Sequence, residues 1–141
     1  MKPFEYFLEN QEVKKASQDI NLAKSLIKDM MERIKDVLLL DISKFPKIIF
    51  ENIYDSLRDF ADALLAIDGF KSYSHQASFA YLSKYGFEDS VLDILDKFRY
   101  KRNSSKYYGQ SISIDEAKEI LNFYNRNKQK INMLLKSKKI S

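Results

Sequence analysis

Counting 100° per residue along a helix, Val91, Leu95 and Phe98 fall on one apolar stripe, and the next position on it is Arg102. A guanidinium that ends a buried face needs a carboxylate partner, a water-filled cleft or an anionic ligand, because burying it unpaired is costly. Arg99, Asn103 and Tyr107 follow one another at four-residue steps on the neighbouring row, with Lys106 and Tyr108 beside them. The apolar face therefore gives way to a patch of arginines, an amide and phenols. Arginine presents a planar fork to phosphate oxygens, and Tyr100, Tyr107 and Tyr108 are placed to stack on exposed bases. The competing reading is an internal ion pair, for which Asp55, Asp59, Asp62 and Asp96 supply carboxylates. Lys106 also complements the dipole at a helix C-terminus.

The only histidine, His75, lies in GFKSYSHQASF, just inside a predicted helix start. The positive end of the helix dipole lowers its pKa and favours neutral imidazole, which can accept or relay a proton. Alternatively Ser72 or Ser74 caps the helix and His75 only hydrogen-bonds a neighbour. With no cysteine and one histidine, disulfides, thiolate metal sites and His-rich metal centres are excluded within one chain; no metal site or cofactor is expected, and any catalysis is metal-free or uses a carboxylate-bound hard cation. Gly-rich phosphate loops are absent as well.

Positioning these groups falls to helices. Ile20, Ala23, Ile27, Met30, Ile34 and Val37 step by three and four, as do Ile49, Ile53, Leu57, Phe60, Leu64 and Ile67, which predicts two long amphipathic helices. A shorter helix is expected over 74–85, a fourth over 88–106, and a fifth from Ser113, where Ser-Ile-Asp-Glu reads as a capping box. Ala117, Leu121, Tyr124, Ile131 and Leu135 line that last helix, and residues 4–16 add a short leading one. Gly69, Gly86 and Gly109 suit left-handed C-terminal caps, and Pro3 and Pro46 suit first turns. No segment alternates as a strand would. The expectation is one all-α domain over 1–141, an up-and-down antiparallel bundle of four main helices plus one or two short ones, with a frayed basic tail over 136–141.

The balance of 24 basic against 20 acidic residues gives a net charge of +4, compatible with an RNA or acidic-protein partner and equally with an ordinary surface. Five lysines between Lys128 and Lys139 read as a solvated helix end. The N-terminus lacks the apolar core of a signal peptide, and VLLL at 37–40 is far too short to span a membrane. A cytoplasmic location follows as the simplest expectation.

The order of helices, the segment YDSLRDFADALLAIDGFKSYSHQA and KRNSSKYYG near the end of the fourth helix resemble the HEPN superfamily, particularly its small stand-alone prokaryotic members, over about residues 5–135. The resemblance implies a homodimeric bundle in which motif residues of both subunits face a shared cleft. It also implies one of two activities: metal-independent endoribonuclease action, in some cases as a toxin encoded beside a minimal nucleotidyltransferase, or non-catalytic binding of RNA or of such a partner. The family signature is an arginine, often followed by a polar residue, then a histidine after four to six intervening positions. Arg102 and Asn103 match its first part, but Tyr107 or Tyr108 occupies the histidine position. A tyrosine ionises about three units above histidine, worth about 4 kcal/mol of barrier if it must ionise. Tyr107 and Arg102 also stand about 140° apart on a straight helix, so convergence requires unwinding at Ser104 and Ser105 or a second subunit. The reading favoured by the sequence is binding of RNA or nucleotide phosphate, or docking of a nucleotidyltransferase, without strong cleavage. In the rival enzyme reading Arg102 stabilises the scissile phosphate and Tyr107 or His75 handles the proton. A third reading is a structural interaction module with Arg102 tied to aspartates.

Overall fold

The segment with the longest apolar stripe, Pro46–Asp68, becomes the axis on which the other elements pack. The computed structural model describes residues 1–141. In chain order it contains α1 (Phe4–Glu9), β1 (Val13–Lys15), α2 (Ile20–Val37), α3 (Pro46–Asp68), β2 (Phe70–Ser72), α4 (His75–Ala80), a 3-10 helix (Tyr81–Tyr85), α5 (Asp89–Tyr108) and α6 (Ile114–Ser137). The protein is mostly helical, with one two-stranded antiparallel sheet.

Pro46 begins α3 in its first turn, where a missing N–H costs nothing, and Gly69 ends it at φ 80°. Ile49, Ile53, Leu57, Phe60 and Leu64 are all buried along its length. Antiparallel to it runs α2: the Asp19 N–H donates to the Ala66 carbonyl at 2.9 Å, and further along Arg33 pairs with Asp59. The α2 stripe is buried from Ala23 to Val37, whereas Ile20 is exposed. On another side α6 packs against α3, and the Phe98 ring of α5 meets the Phe123 ring of α6 edge to face at 5.4 Å. Ser113 caps α6 with both bonds of the capping box.

Four local features depart from the sequence reading. Strands β1 and β2 pair antiparallel, with Val13 opposite Ser72, Lys14 opposite Lys71 and Lys15 opposite Phe70. Three residues are too few to reveal an alternating pattern, so the strands left no period to read. As a result the leading helix stops at Glu9 instead of continuing to 16. The 74–85 helix divides, its second half tightening into a 3-10 helix before Gly86. The basic tail is not frayed: Lys139 takes φ 59°, its N–H donates to the Lys136 carbonyl, and that of Ile140 donates to the Leu135 carbonyl. This is a Schellman turn with lysine where glycine is usual, and Ile140 is buried by it. As the expected 88–106 helix requires, α5 is helical through Ser104 and Ser105, which are both buried, so packing overrides their weak helix propensity.

No helix is long and apolar enough to cross a membrane.

Candidate functional site

Three elements bring a polar cluster to one place. From α3 come Tyr54, Asp55, Arg58 and Asp62; from the start of α4 comes His75; from α5 come Asp96, Arg99 and Arg102. Their spacings explain the convergence. Residues 54, 58 and 62 stand at i, i+4 and i+8 on one row of α3, and 96, 99 and 102 step by three on α5. Ser74 holds His75 at the helix start, because its side chain accepts the Ala77 N–H as the N-cap.

Tyr54 is the centre of the arrangement. It is fully buried, and its hydroxyl lies 2.7 Å from Nδ1 of His75. The two rings stack with centroids 5.8 Å apart, and the Arg102 guanidinium sits 5.6 Å from the Tyr54 centroid. One buried phenol therefore touches both candidate functional groups.

Around it the charges divide unequally. Arg58 lies 3.2 Å from Asp62, whose other carboxylate oxygen accepts the Ser78 hydroxyl at 2.6 Å. Arg99 donates to Asp96 at 2.8 Å, and Gln76 donates to the same oxygen at 3.1 Å. Arg102 has no such partner. Its nearest carboxylate, Asp55, is 3.9 Å away and 40% exposed, and its guanidinium makes no hydrogen bond within the chain. Yet the Arg102 side chain is only 13% exposed. It is thus a largely desolvated fork with donors left over, neither sealed and satisfied nor free in solvent.

Proton affinities follow the same asymmetry. Burial, reinforced by Arg58, Arg102, Arg99 and Lys106, lowers His75 to about 4, so the ring is neutral at physiological pH. Burial raises the Tyr54 phenol above its ordinary range against the pull of the same arginines. Burial also raises the Asp62 carboxyl, opposed by Arg58. At Asp96 burial pushes upward but is outweighed by the hydrogen bonds from Arg99 and Gln76, leaving that carboxyl below its ordinary value.

Of the residues singled out by sequence, Arg102, Arg99, His75 and Lys106 share this electrostatic neighbourhood. Asn103 is half-buried on α5 and its side chain makes no hydrogen bond within the chain. Tyr107 and Tyr108 are not drawn in: they are 65% and 81% exposed, and the Tyr107 ring lies against Lys106 at 5.8 Å. Because α5 does not unwind, Tyr107 keeps its divergence of about 140° from Arg102. The aspartates proposed as alternative partners are mostly engaged elsewhere, Asp59 with Arg33 and Asp62 with Arg58.

Sequence reasoning missed Tyr54, Arg58 and Ser78. Tyr54 and Arg58 adjoin the apolar stripe of α3 at four-residue spacing, and that row was the available signal. Nothing local marks Ser78 as a partner of Asp62.

No three His, Asp or Glu side chains converge to hold a metal ion. A cleft of about 350 Å³ between α2, α3 and β2 reaches Asp62 and Ser72, and its walls combine Leu22, Leu26, Leu65 and Phe70 with Asp19, Asp62 and Lys71. No family model matches the chain, and no curated protein or solved structure matches it significantly.

Proposed function

We propose that this is a HEPN-like protein that binds RNA or nucleotide phosphate at the Arg102 cluster, without strong cleavage of its own. One observation carries the reading: Arg102 is largely desolvated, hydrogen-bonded to nothing in the chain, and 3.9 Å from its only carboxylate. A phosphate oxygen supplies the acceptors that are missing, and Arg99, Arg58 and Lys106 extend the positive field around it. Exposed Tyr100, Tyr107 and Tyr108 offer stacking surfaces for unpaired bases along the same helix. Homodimerisation, and docking of a minimal nucleotidyltransferase on the same face, belong to this proposal through the HEPN resemblance.

Two features support the reading without strong cleavage. Tyr107 diverges from Arg102 within the chain, and a histidine held near 4 is a weak base at neutral pH. The test is incubation of the protein with end-labelled, mixed-sequence single-stranded RNA in EDTA. Full-length RNA retained in a complex that Arg102→Ala weakens is the expected result. RNA shortened by the wild type and left intact by Arg102→Ala would instead establish a metal-independent endoribonuclease.

A further inference from the structure

The hydroxyl of Tyr54 has one partner in the chain, Nδ1 of His75, and no access to solvent. If Nδ1 carried a proton and donated it, the phenol would act only as an acceptor and its own hydrogen would be buried with nothing to bond. If the phenol donates, its hydrogen is satisfied and Nδ1 serves as the acceptor, the role in which unprotonated imidazole nitrogen is strongest. The second arrangement leaves no buried group unpaired. It also fixes the proton of the neutral ring on Nε2, which makes no hydrogen bond within the chain and belongs to a half-buried side chain. Both groups are neutral at physiological pH: the phenol, held above its ordinary range, keeps its proton, and the imidazole, held below its own, takes up no second one.

We propose that Tyr54 is a positioning residue that holds His75 as its Nε2–H tautomer, so that the imidazole meets a bound phosphate as a neutral hydrogen-bond donor and not as a base. The same tyrosine ring carries the Arg102 guanidinium on its face, so one buried side chain sets the direction of two donors. The charged groups that bear on the ring are Arg58 from α3 and Arg99, Arg102 and Lys106 from α5, with Asp55 the carboxylate nearest Arg102. An imidazole acceptor would compete with phosphate for these cations. An imidazole donor adds to them.

This inference rests on the Arg102 cluster being an anion site, and one set of measurements separates the two. His75 is the only histidine, so its two ring nitrogens give an unambiguous nitrogen-15 spectrum in the uniformly labelled protein. At neutral pH the wild type is expected to show a pyridine-type Nδ1 and a pyrrole-type Nε2, and titration with inorganic phosphate is expected to move the Nε2–H resonance. Tyr54→Phe keeps the ring beneath Arg102 and removes the hydroxyl. It is expected to give mixed tautomers and a phosphate affinity about threefold to tenfold weaker, the worth of one oriented hydrogen bond. A pyrrole-type Nδ1 in the wild type would overturn the tautomer assignment without any variant. An Nε2–H resonance unmoved by saturating phosphate, in a protein whose phosphate binding Arg102→Ala abolishes, would overturn the donor role and leave the anion site standing. Equal phosphate binding by wild type and Arg102→Ala would remove the anion site itself.

Discussion

Exchanging His75 for glutamine changes how stability depends on pH, with a sign and size that follow from the site. The folded protein holds the ring neutral, with its proton affinity lowered from 6.5 to about 4 by burial and by Arg58, Arg102, Arg99 and Lys106. The unfolded chain takes up the proton near 6.5, so the contribution is intact above that pH and is lost as pH falls toward 4. At about pH 5 the unfolded state gains about 2 kcal/mol at most, from one and a half units at about 1.4 kcal/mol each, and solvent access to the ring reduces this to about 1 kcal/mol. Other groups titrate in the same window with opposite sign. Burial raises Asp59 to about 6 against its bond to Arg33, and raises Asp62 as well. The informative quantity is therefore a double difference. Urea unfolding of wild type and His75→Gln at about pH 7.5 and about pH 5, with common slopes, cancels the aspartates. The wild type is expected to lose about 1 kcal/mol more than His75→Gln on acidification. Equal losses, or a wild type that gains relative to the variant, would refute the burial of a neutral His75 beside these cations.

Three further expectations concern the frame and the edge of the site. Gly69 and Gly109 both take positive φ, but a Cβ at Gly69 would stand 3.0 Å from the Ala16 carbonyl oxygen while one at Gly109 would meet open space. Gly109→Ala should cost about 1 kcal/mol and Gly69→Ala about 2 kcal/mol or more in urea unfolding. Ser113→Ala removes the bond that its hydroxyl accepts from the Glu116 N–H, leaves the backbone bond to the Glu116 carboxylate, and should cost about 1 kcal/mol, seen as a lower urea midpoint at unchanged slope. Tyr107→Phe should leave RNA affinity unchanged by fluorescence anisotropy, since that exposed hydroxyl is directed away from Arg102; a large loss would place it in the site.

What could be read from residues alone follows the range of the interactions. The stripes of α2, α3 and α6, the caps at Gly69, Gly86 and Gly109 and the capping box at Ser113 are local patterns of three or four residues, and each stands in the structure as an element or its end. The lysine-bearing turn at Lys139 escaped because its driving force is the burial of Ile140, not a glycine. Strands β1 and β2 escaped because each is three residues long and its partner lies beyond the whole of α2 and α3 in sequence. Arg102 was legible as an anomaly on an apolar stripe. Its surroundings were not, because Tyr54 meets it from α3, and Arg58 from α3 and His75 from α4 share its electrostatic neighbourhood, placements that no helical period encodes. Convergence of Tyr107 on Arg102 required either unwinding of α5 or a second subunit, and within the chain α5 stays helical through the buried Ser104 and Ser105.

The central claim is that Arg102 keeps its donors for an anion from outside the chain. It is tested most directly by the affinity for labelled single-stranded RNA across a range of salt concentrations, in wild type and Arg102→Ala, with the urea midpoint of each measured alongside. The account predicts a loss of about tenfold to a hundredfold in affinity and a salt dependence shallower by about one ion. It also predicts a stability change of no more than about 1–2 kcal/mol, since only the contact with Tyr54 and a long pairing to Asp55 are removed. Unchanged affinity and salt slope, together with a stability loss of about 3–5 kcal/mol, would make Arg102 one half of a buried structural ion pair and contradict the account.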